Sequence, residues 1–104
     1  MTESLHPTEG IRLLLEREDV AGDVQSASYV AAIYTVNDCF RYQATLCTDG
    51  TATLTAVDAP AAADDADALM KLAKSTARAA KRKLTDQLAP WPPRVLRWRG
   101  PGRG

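Results

Sequence analysis

Residues 60–88 form an alanine-rich segment whose apolar positions recur at helical spacing, and that stretch limits what the rest of the chain can become. With Leu69 at zero and about 100° per residue, Leu72, Ala73, Thr76, Ala80 and Leu84 lie within roughly 60° of it. Lys71, Lys74, Arg78, Lys81 and Arg82 fall on the opposite sector, and Lys83 sits at the edge of the apolar stripe. Asp64, Asp65 and Asp67 near one end, and Lys81, Arg82 and Lys83 near the other, complement the helix dipole. Asp58 or Asp64 is the expected N-cap and Pro90 the expected stop. Ala73, Ala77 and Ala80 would let the helix approach a sheet closely. The leucines are expected to supply most of the burial energy, at about 1.5–3 kcal/mol each. One helix striped in this way needs a face to cover, and the residues before it must provide that face.

They read as strands. In residues 11–18, Ile11, Leu13 and Leu15 alternate with Arg12, Leu14 and Glu16 as a strand does, and Gly10 before them is a poor helix residue; Ile11, Leu14, Leu15 and Glu18 also fit a helical face. The strand is the preferred reading. Residues 25–36 are rich in Val, Ile, Tyr and Thr, with apolar residues on both faces (Tyr29, Ala31, Ile33 and Val30, Ala32, Tyr34, Val36), which suits a central strand whose second face is a candidate association surface. Residues 39–57 form a hairpin around Thr48, Asp49 and Gly50. A two-residue turn would set Leu46 opposite Thr53 and mix the faces. A three-residue loop with Gly50 left-handed and a bulge instead pairs Leu46 with Ala52, Ala44 with Leu54 and Tyr42 with Ala56. That register gives one apolar face, completed by Phe40, and one polar face of Arg41, Gln43, Thr45, Thr51, Thr53 and Thr55. The expected fold is therefore α+β: an antiparallel four-stranded meander followed by one long amphipathic helix packed across one face (ββββα). Residues 10–99 form a single domain, 1–9 a flexible lead-in and 100–104 a disordered basic end.

In element order, ββββα resembles Pur-type repeats and a family of transcriptional coactivators that bind single-stranded DNA. The helical alternative for residues 11–18 would give α-β-β-β-α, which resembles double-stranded RNA-binding domains, with Lys71, Lys74, Ala79 and Ala80 where that family carries its basic helix.

The balanced charge of the 104 residues hides a division along the chain. Residues 1–67 carry twelve acidic side chains against three basic ones, and residues 68–104 carry ten basic side chains against Asp86 alone. An asymmetry of this size bears on association rather than on fold. The first ten residues contain Glu3 and Glu9 and no apolar run, and no segment approaches the roughly 18 apolar residues of a membrane span, so the expected location is the cytoplasm, away from membranes. Cys39 and Cys47 on one strand would lie about 27 Å apart, beyond disulfide reach, and are expected to be free thiols.

Chemistry-bearing motifs are sparse. There is no phosphate-cradling glycine loop, no paired Cys or His spacing and no nucleophile motif. His6 is the single histidine, and the carboxylates of Asp64, Asp65 and Asp67 are explained by the helix dipole. No catalytic, cofactor or metal site is expected, and enzyme is the least supported class. After Pro90 the chain continues as Trp91, Pro92 and Pro93 and then a stretch in which basic residues alternate with Trp98. That stretch either folds back to seal the core edge, with Trp91 the residue expected to pack, or meets a polyanion through charge and ring stacking. The first functional expectation is a small non-enzymatic protein-association module that forms a homodimer, because a sheet covered on one side leaves its other face and its edges to be managed. The alternative is a single-stranded nucleic-acid binder using Lys71, Lys74, Arg78, Lys81 and Arg82 on the helix with Arg94, Arg97, Trp98 and Arg99 beyond it.

Overall fold

A computed structural model describes residues 6–20 and 25–100. The elements run β1 (Ile11–Val20), β2 (Ser26–Tyr34), β3 (Cys39–Cys47), β4 (Ala52–Ala56), α1 (Ala63–Thr85) and β5 (Arg94–Arg99). All strand pairs are antiparallel, in the order β4-β3-β2-β1-β5. The expected meander and covering helix are both present. The stretch after the prolines adds a fifth strand on the far side of β1.

Residues 11–20 are a strand, so the α-β-β-β-α order does not apply, and with it goes the resemblance to double-stranded RNA-binding domains. The alternation decided this: Ile11, Leu13 and Leu15 enter the core beneath the helix while Leu14 is buried on the opposite face. A register shift between Arg17 and Asp19 interrupts the strand near its end. The β3–β4 hairpin has the expected register, Leu46 to Ala52, Ala44 to Leu54 and Tyr42 to Ala56, and Gly50 takes φ of 91°. The Thr51 amide and hydroxyl both donate to Asp49 Oδ1, at 2.9 and 2.6 Å, and hold that carboxyl below the ordinary carboxylate range.

The core lies between the helix and one sheet face. Leu13, Leu15, Tyr29, Ala31, Ile33, Tyr42, Ala44 and Leu46 meet Ala68, Leu69, Ala73, Ala77 and Ala80. The expectation that leucines dominate this contact needs correction. Leu69 is fully buried, but Leu72 and Leu84 are only partly so, and the alanines bring the helix down onto the large side chains of the sheet. Neither expected N-cap acts: Ala62 occupies the position without a side-chain hydrogen bond, because the helix starts at Ala63, past Asp58 and before Asp64. It also ends at Thr85, ahead of Pro90. Gln87 takes φ of 60°, while its amide donates to Leu84 O at 3.0 Å and the Leu88 amide donates to Lys83 O at 2.7 Å, which closes the last turn.

The domain boundaries near the ends fall partly outside the described residues, which exclude 1–5 and 101–104. At His6, Nδ1–H donates to Thr35 O at 2.8 Å and the ring meets Tyr34 edge-on at 5.3 Å. Pro7 beside it is buried.

Candidate functional site

The fifth strand exists because of what precedes it. Prolines 92 and 93 have no N–H, so Trp91, Pro92 and Pro93 present three carbonyls with little of their own to satisfy them. Each finds a donor in the sheet: Arg17 Nη1 to Trp91 O at 2.7 Å, the Tyr29 hydroxyl to Pro92 O at 2.7 Å and the Arg17 amide to Pro93 O at 2.9 Å. Trp91 itself is buried and meets the Tyr29 ring edge-on at 6.4 Å. The chain thus leaves the prolines already docked on β1 and continues along it, pairing Arg94 with Glu16 through to Arg99 with Ile11.

The same geometry fixes which way the backbone of β5 turns. In an antiparallel pair, hydrogen-bonded and non-bonded positions alternate. Because the Arg17 amide bonds Pro93 O, the odd positions Val95, Arg97 and Arg99 turn their backbone groups to β1, and Arg94, Leu96 and Trp98 turn theirs out of the sheet. The outward Leu96 O accepts a hydrogen bond from Arg97 Nη1 at 2.9 Å. Among the described residues β5 is therefore an outer edge of the sheet, partly capped by its own arginine.

On its helix side this edge borders a groove. The helix lies over β1 to β4, and no Cα of α1 comes within 8 Å of one in β5. The space between them is an open cavity of about 330 Å³ lined by Leu72, Ser75, Thr76, Ala79 and Lys83 from the helix and by Pro92 and residues 94–97 from the strand. Lys83 and Arg97 bring positive charge to it, whereas Arg94 pairs with Glu16 and by register shares the opposite face of the sheet; among the described residues no carboxylate lines the groove.

At the other end of the sheet β4 forms a second edge of a different kind. The Cys47 amide donates to Thr51 O and the Val57 amide to Arg41 O, so by the same alternation Ala52, Leu54 and Ala56 turn their backbone groups outward. This edge carries neither charge nor proline.

The anticipated contact residues separate into groups. Lys71, Lys74, Arg78, Lys81 and Arg82 are exposed along the outer side of α1, and the last three gather above the Thr48–Gly50 loop around a shallow depression of about 310 Å³. The helix passes close there, and a Cβ on Gly50 would lie 3.3 Å from Arg78 Cγ. Arg97 belongs to the β5 groove instead, while Arg94 borders that groove at the start of the strand and by register carries its side chain on the opposite face, across from Glu16. By register Trp98 lies on the sheet face without the helix; it is 53% exposed and its indole N–H donates to Glu9 O at 3.0 Å. Arg99 is half-buried. The tryptophan and the helix cations therefore do not form one continuous patch. Lys83 and Ser75 were not anticipated. The signal for Lys83 was its place at the border of the apolar stripe, which points a cation at the sheet margin.

Among the described residues no three His, Cys, Asp or Glu side chains gather as a metal cluster would. No helix among them is long and apolar enough to cross a membrane. Set against known protein families, curated proteins and solved structures, the chain matches none.

Proposed function

We propose that this chain is a protein-association module that pairs with a second copy of itself through β4. The observation that carries the reading is the unguarded β4 edge: five residues, Ala-Thr-Leu-Thr-Ala, with backbone donors and acceptors turned outward. Sheet edges left in this state are templates for another strand, and proteins usually blunt them with charge, proline or a bulge. β5 is blunted by three arginines; β4 is not. An antiparallel β4–β4 contact about a two-fold axis at Leu54 would give a continuous ten-stranded sheet and would cover Leu54, which one copy leaves only half-buried.

The test is sedimentation of the natural chain beside Thr53→Lys/Thr55→Lys. Both threonines are exposed, so the change spares the core, yet in the paired arrangement it sets lysine opposite lysine. The natural chain is expected at twice its 11.2 kDa mass, and the double variant at the single mass with an unaltered melting temperature. A natural chain that stays monomeric at high micromolar concentration overturns the reading.

A second reading, nucleic-acid binding, is favoured by the helix cations. Lys71, Lys74, Arg78, Lys81 and Arg82 are all exposed along the outer side of one helix. This reading requires oligonucleotide binding that weakens linearly, on logarithmic scales, as salt rises.

A further inference from the structure

We infer that the groove between α1 and β5 receives an extended acidic peptide from a partner protein, which adds to β5 as a sixth strand. The inference rests on the association reading but uses the opposite edge of the sheet.

Three observations select this occupant. The outward backbone of Arg94, Leu96 and Trp98 presents alternating N–H and C=O groups at strand spacing, and only another peptide backbone supplies both complements. The phosphates of a nucleic-acid strand offer acceptors alone, so its backbone charge gives the β5 carbonyls no donors at strand spacing. Next, the groove beside this edge carries Lys83 and Arg97 and, among the described residues, no carboxylate, so side chains entering it meet positive charge over an apolar floor of Leu72 and Val95. That charge selects acidic residues at alternate positions of the incoming strand. It also disfavours a second β5, since two copies would crowd their arginines along one seam. Finally, the free edge is already capped in a reversible way. Arg97 Nη1 holds Leu96 O from an exposed position, and an arriving peptide N–H can take over that acceptor while the guanidinium turns to a carboxylate of the peptide.

Fluorescence anisotropy with a labelled peptide of alternating glutamate and valine, about eight residues long, tests this directly. Two further peptides carry N-methyl groups on the odd or on the even residues. Strand addition turns only one set of peptide amides toward β5, so one methylated peptide is expected to bind as the parent does and the other at least about tenfold more weakly. Arg97→Glu is expected to weaken the parent peptide by about tenfold or more. In the complex, amide exchange at Arg94, Leu96 and Trp98 slows, while Val95 and Arg97, already bonded to β1, change little. The inference is overturned if both methylated peptides bind equally, which would mark attraction of charge alone. It is equally overturned if the protected amides lie elsewhere, if no peptide binds at millimolar concentration, or if an oligothymidylate of equal charge displaces the peptide at lower concentration than the peptide itself. The mass of the free protein, read separately by sedimentation, decides the β4 pairing whichever way the peptide experiment falls.

Discussion

Tyr29 shows how one residue ties the end of the chain to the sheet. Its ring is fully buried, its hydroxyl holds Pro92 O and its edge meets Trp91. Burial pushes the phenol up to about 12, with the nearby Arg17 guanidinium drawing it part of the way back. An unfolded tyrosine ionises near about 10. Between those two values the unfolded chain has released a proton that the folded chain keeps, so the folded state loses ground as pH rises; below about 10 the contribution is complete. Tyr29→Phe removes this titration. It also leaves Pro92 O without its donor, at a cost of about 1–2 kcal/mol near neutral pH. Urea unfolding from pH 7 to about 12 should therefore show the natural chain losing stability more steeply than the variant above about 10, with the two curves converging. Parallel curves would contradict the assignment.

At the scale of elements, the helix closes on a left-handed Gln87 where glycine is the usual occupant. Gln87→Gly is expected to stabilise the protein by about 0.5–1 kcal/mol, read as a higher urea midpoint with unchanged slope; a loss would mean that the glutamine makes contacts worth more than its backbone strain. The strands and the helix were legible because each repeats its pattern over several turns or pleats: Ile11, Leu13 and Leu15, the two faces of β3, the Leu69 stripe. Gly50 made the hairpin register legible as well, since only one loop kept Leu46, Ala44 and Tyr42 on one face. β5 carried no such signal. Its order Arg-Val-Leu-Arg-Trp-Arg alternates at no clear period, and its place is set by Arg17 and Tyr29 seizing the proline carbonyls far away in sequence. Sequence alone suggested that Trp91 packs, and the consequence is larger than one aromatic. Truncation after Pro90 removes Trp91 and the strand together and turns β1 into an edge, so a loss of at least about 3 kcal/mol is expected. The blue-shifted indole emission should disappear with it, whereas Trp98→Phe should leave that emission in place, because Trp98 is the exposed tryptophan.

Across the whole molecule, the division of charge along the chain becomes a division in space: β1 to β4 come from the acidic part, α1 from residue 68 onward and β5 from the basic part. That much of the candidate site could be read from the sequence. What could not be read was the separation of the anticipated cations by the fold, with Lys71, Lys74, Arg78, Lys81 and Arg82 outside the helix, Arg97 at the groove, and Arg94 and Trp98 on the other face. The two sheet edges inherit opposite characters from this, one neutral and one cationic, and salt should tell them apart. A β4–β4 dimer rests on backbone hydrogen bonds and apolar cover, so raising salt from about 0.05 to about 0.5 M should leave its dissociation constant within about threefold. Binding of an acidic strand at β5, or of a polyanion along α1, should weaken by at least about tenfold over the same range, since exposed charges lie within a Debye length only at low salt. Sedimentation and anisotropy on one preparation measure both. A dimer that dissociates in step with the peptide as salt rises would place self-association on the charged surfaces, and the β4 pairing would then be wrong.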